Sequence, residues 1–332
     1  MPVLRAVPED FVVDEVPLYP PCGAGDHTFV RVEKRLRSTE DVARDLARAA
    51  GVAPRDVGYA GRKDRVALTR QWYSVPGLDP ARALGLALRD ARVLEAARHA
   101  HKLRTGDLAA NRFDLRVRDV EAGARARAAE AAAALSARGF ANRFGAQRFG
   151  RDGANAHRGF ALLRGEPAGR DRRSARFLLS ALQSAVFNDV LAGRPLPPDR
   201  LETGDVALVH RSGGLFTVED ASAEQARADA FEISPTGPFF GTRMRAAAGA
   251  PGERERAVLA AWEIPEPLRP PRGIRLRGGR RALRARPGDL EVHDEGGGLR
   301  LRFALPPGSY ASVFVDALLE LCGAGAARVV VE

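Results

Sequence analysis

Apolar and charged residues alternate through HTFVRVEKRLR near the start of the chain, the pattern of a half-buried strand, within a first segment that reads as mixed strand and helix. A helix is predicted next. Ser38 and Asp41 have capping-box spacing, with Asp where Glu or Gln is usual; Val42, Leu46 and Ala50 form one apolar stripe, and Gly51 is the stop. DVGYA and VALTRQWYSV are predicted strands separated by the short charged loop GRKDR, which carries Asp64. Residues 120–139 form an Ala- and Arg-rich helix of high propensity and weakly apolar face, either a spacer or a buried flank. NRFGAQRFGRDGANAHRG holds too much Gly, Asn and Arg to be regular throughout and reads as a functional loop or a hinge. SARFLLSALQSAVFNDVLAG is predicted as an amphipathic helix with Phe177, Leu178, Ala181, Leu182, Ala185 and Val186 on one face. Residues 235–286, rich in Pro, Gly and Arg, are predicted as surface loops and a crossing between domains. At the carboxyl end Leu299, Leu301, Phe303 and Leu305 alternate with Arg300, Arg302 and Ala304, and a helix ASVFVDALLELCG follows PPGSY. Similar α/β patterns thus enclose a different middle.

Length agrees with that picture: 332 residues are too many for one ordinary core and suit two domains. No stretch approaches the roughly 18 uninterrupted apolar residues of a membrane helix, and the amino terminus carries acidic residues and no apolar signal core, so no membrane partner and a cytoplasmic location are expected. Charge changes the picture more. A net charge of +10 points to a polyanionic partner, with nucleic acid as the first candidate. A preference for Arg codons explains why Lys occurs only at Lys34, Lys63 and Lys102, but not why cations outnumber carboxylates.

Known catalytic signatures are few. Cys22 and Cys322 stand far apart with no CxxC or HExxH, and the six histidines have no metal-ligand spacing, so neither a disulfide nor a metal is expected. Hydrolase triads, GxxxxGK[ST] and a strand-turn-helix GxGxxG are absent as well. Acidic residues in basic loops are left. Asp64 is the sharpest, because Arg62, Lys63 and Arg65 flank it and nearby cations favour the ionised carboxylate of a nucleophile. Pattern alone also admits a merely solvated charged loop.

GYAGRKDRVALTRQWYSV closely resembles the catalytic segment of the TruD family of tRNA pseudouridine synthases. PEDFVVDEVP, HKLRTGDLAANRFDLRVR, NRFGAQRFGRDG, SARFLLSALQSAVFNDV, PTGPFFGTR and FALPPGSYASVFVDALLE resemble further TruD segments in the family's order, over nearly the whole chain. The resemblance places the family's nucleophilic aspartate on Asp64. Carboxylate attack at the ribose anomeric carbon or at C6 frees N1, lets the uracil turn and rejoins it through C5. No redox change or external energy is involved, so no cofactor is implied. It also places base-binding positions at Asn111, for the uracil edge, and Phe113, whose ring would hold an extruded base. Phe11 matches a site aromatic, and Tyr310 stands where the family has Phe. Phe11 and Tyr310 are equally readable as packing aromatics, and the lesser alternative for Phe113 is a strand residue that faces the core.

Lys63 and Lys102 lie inside matched motifs where a compact ammonium is retained, Lys63 to orient Asp64 or meet a phosphate and Lys102 to contact RNA. Arg148, Arg151 and Asn155 are read as RNA contacts or as braces of a domain junction. Arg272, Arg275, Arg277, Arg280 and Arg281 form a cationic run, either a solvated surface or a backbone-binding one. The fold implied is α+β: a discontinuous catalytic domain, 1–142 and 286–332, with a mixed, mainly antiparallel sheet, and an inserted TruD-specific α/β domain, 143–285. The partner implied is tRNA, with uridine at position 13 of the D arm as target and no obligate protein partner, taken up in an Arg-lined cleft. Rival readings are the same isomerisation on another RNA, a non-catalytic RNA-binding protein, and a methyltransferase, which would need a cofactor loop that is not visible.

Overall fold

A computed structural model describes residues 1–150, 152–166 and 172–330. In chain order the first part forms β1 (Val3–Leu4), β2 (Phe11–Pro17), β3 (His27–Arg35), α1 (Thr39–Ala50), β4 (Gly58–Tyr59), β5 (Leu68–Pro76), α2 (Pro80–Leu84), β6 (Ala91–His99), β7 (Leu108–Arg118) and α3 (Ala122–Arg138). The middle contributes β8 (Phe140–Ala141), α4 (Asn155–Leu163), α5 (Arg172–Ala192), β9 (Val206–Val209), β10 (Leu215–Thr217), α6 (Ala221–Asp229), β11 (Ile233–Phe239), α7 (Gly249–Ala261), β12 (Gly279–Ala282) and β13 (Arg284–Ala285). The end adds β14 (Gly288–Asp294), β15 (Gly298–Leu305), α8 (Ala311–Leu321) and β16 (Arg328–Val329). Two units result. One comprises Met1–Ser136, Pro287–Ala311 and the chain from Val315 on; the other comprises Ala137–Arg286 with Ser312–Phe314.

The first unit is built on a ten-stranded sheet of central order β14-β15-β7-β2-β5-β3-β6, to which β1, β4 and β16 attach at the sides. Among the described residues only β2 with β5 and β1 with β16 run parallel. The sheet is therefore mixed and mainly antiparallel, and the architecture is α+β. On one face Val30, Val32, Tyr73 and Val75 pack against Val42, Ala43, Leu46 and Ala47 of α1. Both ends of α1 are closed as its sequence suggests. Ser38 Oγ accepts the Asp41 N–H at 3.1 Å, the Asp41 carboxylate accepts the Ser38 N–H at 3.1 Å, and Gly51 turns left-handed at φ 70°. The Ser38 hydroxyl bonded to Asp41 pulls that carboxyl down to about 2.

β3 is more deeply buried than its alternation suggests. It lies inside the sheet between β5 and β6, and its outward charged residues are held by neighbours: Arg31 by Asp14 and Glu95, Glu33 by Arg70 and Arg92. An alternating strand covered by ion pairs looks identical in sequence to one facing water.

The second unit has its own four-stranded antiparallel sheet, β10-β9-β11-β12, with a separate β8–β13 pair. α5 differs from the predicted face. Its buried side chains are Ala175, Leu179, Leu182, Val186 and Val190, joined by Ala181, Gln183, Ser184 and Phe187, while Phe177 is 40% exposed. The helix is covered on two sides. One side joins Leu162 and Leu163 of α4, whereas Gln183 donates to the Phe240 carbonyl at 2.6 Å on the other. Gly237 lets β11 come close there, since a Cβ would lie 2.9 Å from the Phe187 ring.

The middle arginine-rich stretch is also not simply loop. β11 is an inner strand with all but its last residue buried, and Arg280 and Arg284 are core side chains. Arg280 binds both carboxylate oxygens of Glu255, at 2.7 and 2.8 Å, and Arg284 donates to Ser234 Oγ at 2.9 Å. Arg281 reaches Asn142 Oδ1 at 2.7 Å, with its guanidinium 4.1 Å from the Phe144 ring centre. Arg272, Arg275 and Arg277 remain exposed.

Candidate active site

GRKDR links β4 to β5, and buried side chains hold it from three directions. Ala60 and Ala67 anchor its ends in the core. Thr39, the first residue of α1, accepts the Lys63 N–H at 3.0 Å and donates its hydroxyl to Gln71 Oε1 at 2.7 Å. Gln71 in turn donates to the Gly61 carbonyl at 3.1 Å. From β3, Lys34 sends its ammonium to the Asp64 carbonyl at 2.8 Å and the Arg37 carbonyl at 2.7 Å. The capped helix start and two strands thus fix the loop backbone.

The Asp64 side chain is 21% exposed, and its Oδ2 accepts from Arg5 NH2 at 2.7 Å. The same guanidinium lies 3.7 Å above the centre of the Phe11 ring. Phe11 meets Phe113 edge-on at 6.1 Å, and Phe113 stacks on Phe303 at 5.2 Å and 21°. Sheet register makes this series: Phe113 pairs with Val13 and Phe303, so all three rings share one face. Asn111, two residues earlier on that face of β7, takes Lys63 Nζ on its Oδ1 at 2.5 Å. The Lys63 ammonium also lies 2.7 Å from Glu15 Oε2, in a pair whose side chains are 7% and 1% exposed. Glu15 Oε1 is held by the Trp72 N–H at 3.2 Å.

The arrangement is an anchored carboxylate beside an aromatic wall and a polar amide, on one sheet face. Such a site suits nucleophilic attack on a flat, unstacked ring. Among the described residues no group of three or more His, Cys, Asp or Glu side chains is placed to hold a metal ion.

A sequence model of tRNA pseudouridine synthase D (TruD) matches residues 2–170 and 171–317. The chain belongs to the TruD family. It is an isomerase that converts uridine in tRNA to pseudouridine. Among similar proteins, the tRNA pseudouridine synthase D of Anaeromyxobacter dehalogenans strain 2CP-C is 48% identical over 96% of this chain and 92% of its own length. That of Geobacter sp. strain M21 is 38% identical over 96% of each chain. The crystal structure of a putative TruD from Methanosarcina mazei shares the fold, with a TM-score of 0.71 over 96% of this chain and 93% of that one at 22% identity.

Within this TruD chain the structure brings Asp64, Lys63, Phe11, Asn111 and Phe113 together through the contacts above. Lys63 turns to Glu15 and Asn111 rather than outward. Tyr310 stands at the N-cap of α8, partly buried, after the turn that ends β15. Lys102 donates to the Arg55 carbonyl at 2.6 Å, and its stem packs over Gly58. Arg148 is tied to α5 by Ser180 and Ser184, the latter at 3.1 Å, with its guanidinium 5.2 Å from the Phe177 ring. Asn155 is buried, donates to the Arg148 carbonyl at 3.4 Å and packs against Gly150, whose φ of 85° and lack of Cβ make room for it. These contacts of Arg148 and Asn155 all lie within the second unit. Arg151 lies outside the described residues.

Sequence reasoning passed over Arg5, Glu15, Lys34, Thr39, Gln71 and Phe303. Lys34 carried a signal, as the third of only three lysines. Glu15 carried one too, since it continues the Phe11 and Val13 face of a strand with a carboxylate. Arg5 had none, because its partner lies 59 residues away.

Burial pulls the Lys34 ammonium down to about 8, against the raising influence of Asp64 and with help from the Lys63 charge. Its folded value is thus below its unfolded one, so the unfolded chain binds more protons between about pH 8 and the ordinary lysine range. The cost of holding Lys34 charged is fully present below pH 8 and is relieved as pH rises through that window. The melting temperature of the wild type relative to Lys34→Met is expected to rise between pH 8 and 10. A constant difference would mean that Lys34 titrates normally.

Proposed function

We propose that Asp64 is the nucleophile of the isomerisation and that the substrate is uridine at position 13 in the D arm of tRNA, modified in the cytoplasm. The observation that carries this reading is the Arg5–Asp64 ion pair at 2.7 Å beside the Phe11–Phe113–Phe303 wall. The guanidinium on Oδ2 holds the carboxylate and aims it beside the aromatic wall. Addition at ribose C1′ or at base C6 lets the N1–C1′ bond break. The uracil turns against the aromatic wall, C5 bonds to C1′, the C5 proton leaves to solvent and Asp64 is released. Phe113 and Phe11 supply the wall, Tyr310 a further ring, and Asn111 a polar contact to the base edge. Lys102 and the exposed Arg272, Arg275 and Arg277 meet phosphates. We assign the chemistry to the first unit and read the second as the family's inserted domain.

Tritium release from tRNA labelled at uridine C5, without added cofactor, tests the reading. Release is expected from a transcript with uridine at position 13 and not from one with cytidine there. Equal release from both would place the target elsewhere.

Arg5→Leu is expected to slow single-turnover release roughly ten- to a hundredfold, the worth of one hydrogen bond to a charged group. Arg5→Lys should recover part of it. An unchanged rate with Leu would make the ion pair dispensable.

A further inference from the structure

Lys63 can only donate hydrogen bonds, and it reaches Asn111 at 2.5 Å. The atom it meets must therefore be the amide oxygen, whichever way an isolated amide would be drawn. Glu15, buried and fastened to the Trp72 N–H, holds the ammonium in place from behind. Breaking that pair would strand a buried charge, so the ammonium stays with it. The amide oxygen of Asn111 is thus occupied, while its Nδ2 has no partner among the described residues. Asn111 is only partly buried and lies on the same strand face as Phe113.

We infer that Lys63, held by Glu15, sets the polarity of Asn111 so that the site offers the target base a hydrogen-bond donor and reads a carbonyl oxygen. This rests on the proposed contact between Asn111 and the base. A free asparagine amide presents a donor or an acceptor by flipping, and so matches a carbonyl or an amino group equally. With the oxygen turned to Lys63, the donor is the end of the amide presented away from it. Uracil has carbonyl oxygens on both sides of N3, whereas cytosine has an amino group at one of these positions. Lys63 is on this reading a positioning residue for specificity, acting through Asn111.

The test compares turnover by the full-length protein of tRNA transcripts carrying uridine, 2-thiouridine or 4-thiouridine at the target position, since sulfur is the weaker acceptor, and its binding to a transcript with cytidine there. The wild type is expected to turn over one of the two sulfur transcripts with kcat/KM roughly five- to tenfold below uridine. Asn111→Ala should bring that ratio near one. The double variant Glu15→Gln with Lys63→Met removes both charges together and strands neither; its amide is free to flip and can meet the amino group of cytosine, so the roughly fivefold or larger preference in Kd that the wild type is expected to show for the uridine over the cytidine transcript should fall to within about twofold, while Lys63→Arg, still a pure donor, keeps it. A double variant that keeps the wild-type preference for the uridine over the cytidine transcript would overturn the inference and leave the base contact standing. A ratio unaffected by Asn111→Ala would instead remove the base contact itself. A wild-type ratio near one for both sulfur transcripts overturns the carbonyl reading. Melting curves of each variant separate these outcomes from unfolding.

Discussion

Asp64→Asn is expected to stop tritium release from labelled tRNA, with a rate at least about 10⁴-fold below wild type, while tRNA affinity stays within about twofold. The amide keeps the size of the side chain and can still accept from Arg5, so the loop held by Thr39, Gln71 and Lys34 has no reason to move. What is lost is the negative charge that attacks. Affinity is expected to survive because contacts from cations to phosphates supply most of it, and Asp64 makes none of these. Residual release within a hundredfold of wild type would show that another group serves as nucleophile. Joint loss of release and binding, with an unchanged melting curve, would assign Asp64 to RNA binding.

Glu255→Ala is expected to destabilise the second unit by about 3–5 kcal/mol, a fall of roughly 6–20 °C in its melting temperature. The Arg280 side chain is fully buried and both of its Glu255 contacts are short, so truncation leaves a guanidinium without its counter-charge away from water. Replacing both, Arg280→Met with Glu255→Leu, should recover most of the loss, because no charge is then stranded. The same measurement separates the arginines of this stretch. Arg272→Ala, Arg275→Ala and Arg277→Ala are expected to leave stability alone and to flatten the salt dependence of tRNA binding, since these side chains are exposed. A Glu255→Ala protein that melts like wild type would mean that water reaches Arg280.

The cationic run shows why only part of the molecule was legible. Five arginines between 272 and 281 look alike in sequence, yet three face solvent and two are held inside the fold. What separates them is the pairing of β12 with β11, which turns Arg280 toward Thr236 and Glu255. The same holds for α5, where the apolar stripe gave the existence of a helix but not its buried arc. That arc depends on a second contact surface, β11, more than 40 residues away. Near the site, the GRKDR loop and its aspartate stood out because charge density is local. The Lys63 partners did not, because an ammonium chooses its neighbours in space.

By itself the sequence determined the locally encoded features and, through long ordered motifs, the family. Capping residues, two-residue alternation and left-handed glycines act over a few positions, so α1 with its Ser38–Asp41 box and β15 with its alternating Leu and Arg could be read directly. Only the tertiary structure decided what meets Asp64. Arg5 from the turn after β1, Lys34 from β3 and Thr39 from α1 reach the loop because the sheet order sets β2 and β3 on either side of β5. Glu15 and Asn111 meet Lys63 because the register of β2 on β7 pairs those two residues. Register and strand order are set by the summed burial of whole strand faces, a quantity that no short window of sequence contains.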